Sequence, residues 1–116
     1  VNNGTVFLAK NSGPLHIVNV NNPNTPVQIS VYNAGGLVGD MVLGIPNNQN
    51  LFLATANTTR ELQVLDITNL ASPTLLGSYN AASALAGIDY DPVRELLLCT
   101  GSNAVDFNIF GPTPTP

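Results

Sequence analysis

Tryptophan is absent from this chain, and histidine, cysteine and methionine or basic side chains are nearly so: one His, one Cys, one Met, and three Lys plus Arg in total. With His16 alone there is no second imidazole to share a metal ion, and nucleophilic catalysis has a single candidate base for the whole chain. Between Leu15 and Ile17, His16 is expected to point outward or into an interface. Cys99 cannot close an internal disulfide, and in the run Leu96-Leu97-Leu98-Cys99 it reads as a small buried hydrophobe, slow to react. Charged residues make up only 9%, with seven acidic against three basic and a net charge of −4. That balance repels phosphate backbones and anionic headgroups, so nucleic acid is excluded as a partner. No apolar run approaches the roughly 18 residues that cross a bilayer, so no membrane insertion is expected. The N-terminus lacks a charged stretch followed by an apolar signal core, which places any targeting segment outside these residues. Glycine-rich phosphate loops, Cys/His zinc spacings and basic aromatic patches are also missing. Gly35-Gly36 with Gly39 reads as a turn. No catalytic residue, metal ligand or cofactor is assigned, and the chain reads as non-enzymatic.

What is present is a repeat. Leu15-His-Ile-Val-Asn-Val20 and Leu62-Gln-Val-Leu-Asp-Ile67 share one apolar pattern 47 residues apart, and the segments after them agree at the same spacing: Asn22 to Pro26 with Asn69 to Pro73, and Ser30-Val-Tyr-Asn-Ala34 with Gly77-Ser-Tyr-Asn-Ala81. A second series, Val6 to Ala9, Leu51 to Ala54 and Leu96 to Cys99, recurs every 45 residues. Short runs of Val, Ile, Leu, Phe and Tyr alternate with clusters of Asn, Pro, Gly, Thr and Ser, which predicts strands and turns throughout. The strands are expected at 5–9, 15–20, 27–32, 39–45, 51–55, 62–67, 74–79, 85–90, 95–100 and 104–110. The stretch 81–86 tolerates helix but is too short to hold one, and reads as loop and strand entry. Several strands are apolar on consecutive residues, as befits strands covered on both faces. Four strands per unit of about 45 residues is the period of a propeller blade. The fold class is therefore all-β, with four-stranded antiparallel blades of β-propeller type in an incomplete propeller. A partial blade spans 1–34, a full blade 35–80 and a partial blade 81–110, followed by a Pro/Thr tail or linker at 111–116.

The segments Leu62 to Tyr79 and Leu15 to Val27 resemble the LVIVD repeat: an apolar strand ending in Asp, an Asn-Pro turn, and a strand closing on Gly-Ser-Tyr. The resemblance implies a β-propeller, mostly extracellular or of the cell envelope, usually without assigned chemistry. The first copy departs from it with Asn19 at the Asp position, and the second with Leu70 in place of Pro. The third copy stops after its third strand. Ile88 to Leu98 also resembles the innermost hairpin of many propellers, with Asp91-Pro92 starting the turn.

The blade count does not close into a ring, since joining the two ends would put six strands where four belong. The expectation is a non-catalytic structural or protein-interaction module, extracellular or at the cell surface. It would be part of a larger propeller, or a homo-oligomer or polymer joined strand to strand, with assembly edges at Val6, Phe107 and Ile109. The alternative is a fragment of a propeller enzyme, a hydrolase, lactonase or lyase, whose active site lies on blades absent here. Two sequons, at Asn3 and Asn57, are candidates for glycosylation. Asp89 and Asp91 lie on one strand face and admit an acid pair or calcium, but a turn role is the stronger reading. Asp66 is expected to accept hydrogen bonds from the next turn. Asp40 and Asp106 show no companions in the sequence.

Overall fold

The computed structural model describes residues 4–9, 14–44 and 49–101, together with the backbone of 107–110. Within them lie ten strands: β1 (Thr5–Ala9), β2 (Pro14–Asn19), β3 (Val27–Asn33), β4 (Val38–Leu43), β5 (Asn50–Thr55), β6 (Leu62–Asp66), β7 (Thr74–Tyr79), β8 (Leu85–Asp91), β9 (Leu96–Gly101) and β10 (Phe107–Phe110). They form three antiparallel meanders, ordered β1-β2-β3, β4-β5-β6-β7 and β10-β9-β8, and no helix occurs among the described residues. The chain is all-β, an incomplete propeller with one four-stranded blade between two three-stranded ones. Residues 81–84 are loop and 85–86 open β8, as the shortness of the 81–86 stretch predicts.

The repeat extends to the hydrogen bonds and irregularities of the backbone. In the first sheet the register shifts between Ile17 and Val18; in the second it shifts between Val64 and Leu65, 47 residues later. A second pair of shifts, at Val38/Asp40 and Leu85/Gly87, has the same spacing. Each bulge leaves one residue unpaired and increases the local twist. The turns repeat as well. Asn19 Oδ1 accepts from the Asn21 amide and Asp66 Oδ1 from the Thr68 amide, both at 2.8 Å, so Asn19 does the work of the hallmark Asp it replaces. Asn22 and Asn69 likewise accept from the amide two residues on, at 3.1 Å. At the strand exits, Asn33 accepts from Gly35 and Asn80 from Ala82. Both receiving residues are left-handed, Gly35 at φ 73° and Ala82 at φ 67°.

In the third copy the sequence alignment is off by one residue. It sets Cys99 against Ala54, but Cys99 pairs with Ile88 as Leu53 pairs with Met41, so Cys99 stands in the place of Leu53 and Leu97 in that of Leu51. The apolar run 96–99 fits either register by composition, and pairing with β8 selects the one that turns Leu97 and Cys99 inward.

The core lies between the sheets. Leu15, Ala34, Val38, Leu51, Leu53, Leu65 and Ile67 form the seam between the first and second blades, flanked by Phe7, Tyr32 and Met41. Ala54, Leu62, Leu85, Ile88, Leu97 and Cys99 form the seam between the second and third, where the Phe52 and Tyr90 rings stack at 5.5 Å. The second blade is thus sandwiched, which is why β5 and β6 carry apolar residues on both faces.

Candidate interaction edges and the blade seams

Three polar groups tie the first seam. Gln63, 1% exposed, lies on β6 and faces the preceding blade. Its Nε2 donates to the carbonyl of Ala34 at 2.8 Å and to that of Arg60 at 3.0 Å, while its Oε1 accepts from the Tyr32 hydroxyl at 2.7 Å. The buried side-chain amide thereby has three partners, and leaving one of its groups unpaired would cost about 1–3 kcal/mol. Burial pushes the Tyr32 hydroxyl pKa up, with the Arg60 charge opposing it. Asn57 binds Ala34 from the other side: its Nδ2 donates to the same carbonyl at 2.9 Å, and its Oδ1 accepts from the amides of Thr59 and Arg60. Gly35 and Gly36 let the chains approach this closely, since a Cβ at either would come within 2.6 Å of Asn57. At the outer end, the Ser30 hydroxyl donates to the Leu70 carbonyl at 2.6 Å.

The second seam uses acids. Glu61, only 3% exposed, accepts the Ala81 amide at 2.9 Å. Asp40 accepts the Ile88 amide at 3.1 Å and its own neighbour Met41 at 2.8 Å. Asp40, which in the sequence has no companion, is therefore a clamp between blades. The bulge at Gly39 aims its carboxylate across the seam, and nothing in the local sequence announces that. Gln63 was missed for a similar reason: alternate polar residues in a strand usually face solvent.

The remaining sequence-picked residues separate cleanly. Val6 sits half-buried on β1, paired with Val18 on one side. Among the described residues the other side of β1 is a sheet edge, as is the outer side of β10, which holds Phe107 and Ile109. Asn3 and Asp106 lie outside the described residues. At Asn57 the nitrogen that a glycan would occupy is the one donating to Ala34. Cys99 is fully buried, and burial pushes its thiol up to about 11. Asp91 accepts from the Val93 and Arg94 amides and pairs with the Arg94 guanidinium at 3.0 Å, which closes the hairpin and lowers its pKa. Asp89 bonds the Tyr90 amide and is exposed, so the two carboxylates serve the backbone. Asp66 accepts from the Thr68 hydroxyl and amide, and both bonds lower its pKa. Among the described residues no three His, Cys, Asp or Glu side chains gather around a point that could hold a metal.

Residues 52–81 match the LVIVD repeat. The matched segment runs from β5 through β7 to Ala81, the exit whose amide Glu61 holds, so the LVIVD unit coincides with three strands of the sandwiched blade. The same hydrogen bonds recur 47 residues earlier, which makes the first blade an unmatched but structurally equivalent copy. No curated protein matches the chain.

Proposed function

We propose that this LVIVD chain is a non-catalytic structural or protein-interaction module working outside the cell or at its surface, and that its partners are protein strands. Those strands belong to further copies, in an edge-to-edge assembly such as a filament, or to the rest of a larger propeller. The observation that carries this reading is the contrast, among the described residues, between one four-stranded sheet and two three-stranded sheets whose outermost members, β1 and β10, each lack a neighbour the complete blade has. An unpaired edge displays N–H and C=O groups that an incoming strand can satisfy. Edges that avoid pairing usually carry Lys, Pro or another charge. β1 reads Thr-Val-Phe-Leu-Ala and β10 reads Phe-Asn-Ile-Phe, with none of these. Because the two edges are different surfaces, pairing one with the other is heterologous, the kind of contact that builds a ring or, where the rotation does not close, a filament. The extracellular setting rests on the family resemblance.

Light scattering tests this. The wild-type chain is expected to exceed its 12.1 kDa monomer mass, increasingly so with concentration. Phe107→Pro with Ile109→Pro should return it towards the monomer mass while circular dichroism still reports a folded β4–β7 sheet. A wild-type chain that stays monomeric at every concentration contradicts edge-to-edge assembly of copies.

A further inference from the structure

Asp91-Pro92 is the one Asp-Pro pair in the sequence. It opens the turn between β8 and β9, in which Pro92, Val93, Arg94 and Glu95 are all exposed, Val93 by 88%. A hairpin at this place does not require the pair. In the second blade, where Leu43 pairs with Leu51 as Tyr90 pairs with Leu97, the matching residues read Gly44-Ile45-Pro46.

An Asp-Pro peptide bond carries its own nucleophile. The side-chain carboxyl can close a five-membered ring on the carbonyl carbon of its own residue, and the proline nitrogen, part of a tertiary amide, leaves more readily than an ordinary peptide nitrogen. Starting from a protonated Asp91, a carboxyl oxygen bonds to the Asp91 carbonyl carbon, the C–N bond to Pro92 breaks, and the carboxyl proton passes to the Pro92 nitrogen. The products are a cyclic anhydride on Asp91 and a secondary amine on Pro92. One water molecule then opens the anhydride to two carboxyl groups, so water is the sole co-reactant and nothing is oxidised or reduced.

The fold holds that nucleophile elsewhere. Asp91 Oδ1 accepts from the amides of Val93 at 3.0 Å and Arg94 at 3.2 Å, and Oδ2 accepts from the Arg94 guanidinium at 3.0 Å. Both oxygens are engaged with the turn and not with the carbonyl carbon they would attack. The bonds from Arg94 hold the carboxyl below its usual range, so the proton that cleavage needs arrives only as pH falls through that lowered value. Among the described residues Arg94 is the charge that acts on Asp91; Asp89 and Glu95 are the nearest carboxyls along the chain, and the second blade, which sets Phe52 against neighbouring Tyr90, contributes no charge.

We propose that Asp91-Pro92 is a self-cleavage site that the β8–β9 turn keeps latent, and that acid opens it by protonating the carboxylate and releasing it from Arg94. The cut divides the third blade between β8 and β9 and leaves β9 and β10 on a separate fragment, 92–116. Its consequence for assembly rests on the reading of β10 as an edge; the cleavage itself does not.

The test incubates the full chain at about pH 2.5, below the ordinary Asp range, and follows it by intact-mass spectrometry. Fragments 1–91 and 92–116 should be the major products. Asp91→Asn should abolish them and keep the turn, since asparagine supplies the same acceptor at Asn19, Asn22, Asn33 and Asn80. Urea-unfolded wild type should be cut about tenfold faster than the folded chain. At about pH 4, with circular dichroism reporting the fold, Arg94→Gln should speed cleavage about two- to fivefold. A chain left whole in acid, or Asp91→Asn cut at the same bond and rate, overturns the site. Folded wild type cut as fast as the unfolded chain overturns the latency. If acid unfolds the wild type, the Arg94→Gln comparison at about pH 4 decides in its place, and equal rates there overturn the role of the turn. Edge pairing is read separately by the proline variant of β10, and its failure would leave the cleavage result standing.

Discussion

Leu53 and Leu8 occupy the same position in consecutive blades, each across from a polar residue on the neighbouring strand, yet one is 0% exposed and the other 51%. The pair teaches that burial in this fold belongs to the neighbouring blade and not to the residue. A blade presents two apolar faces, and a face becomes core only where another blade lies on it. The same holds for polar groups: Gln63 is partnered on both amide atoms because the first blade delivers Tyr32 and Ala34, whereas Nε2 of His16 is buried with no partner among the described residues.

The largest expected effect comes from breaking the sealed side. Leu53→Ala should cost about 2–5 kcal/mol by opening a cavity in the first seam, whereas Leu8→Ala should cost less than about 1 kcal/mol, both read from denaturant midpoints. Next comes the polar tie. Gln63→Leu strands the Tyr32 hydroxyl and removes a donor from the Ala34 carbonyl, which should cost about 1–3 kcal/mol. His16→Leu, with only Gln28 to abandon, should cost less. The two left-handed strand exits sharpen the comparison from the other direction. Gly35→Ala would add strain of about 1–2 kcal/mol at φ 73° and crowd Asn57, while Ala82→Gly, at φ 67°, should stabilise by relieving strain already present.

Most of this architecture was legible in the sequence, for physical reasons visible in particular residues. All ten strands fall within a few residues of the positions expected from apolar runs, because Asn and Pro turns bracket each one and strand pairing has little freedom between fixed turns. The repeat of Asn33-Ala34 and Asn80-Ala81 was plain. Their role was not, since the Ala34 carbonyl acquires meaning only once Gln63 and Asn57 converge on it from residues 23 to 29 positions away. Asp40 was unreadable for the same reason: its partner is 48 residues on. The one-residue slip in the third copy came from a uniform run of leucines, in which only pairing with β8 distinguishes the registers.

The smallest effect concerns the thiol in the second seam. Burial raises Cys99 from 9.0 to about 11, so the folded protein keeps it neutral while the unfolded chain ionises. The stabilisation is complete below about pH 9 and is lost as pH rises towards 11. Cys99→Val should flatten that alkaline loss in urea titrations, and thiol reagents should label the folded protein slowly. On the acid side, Asp66 and Asp91 have lowered pKa values, so their turn bonds contribute fully above the usual carboxylate range and fade as pH falls through their folded values.

The account turns on β1 and β10 being open edges that recruit strands, and amide hydrogen exchange reads those edges directly. At concentrations where the chain associates, the outward amides of β1 and β10 should exchange nearly as slowly as those of β6, and on dilution they should become fast while β6 stays protected. Outward amides of β1 and β10 that remain fast at every concentration would contradict it.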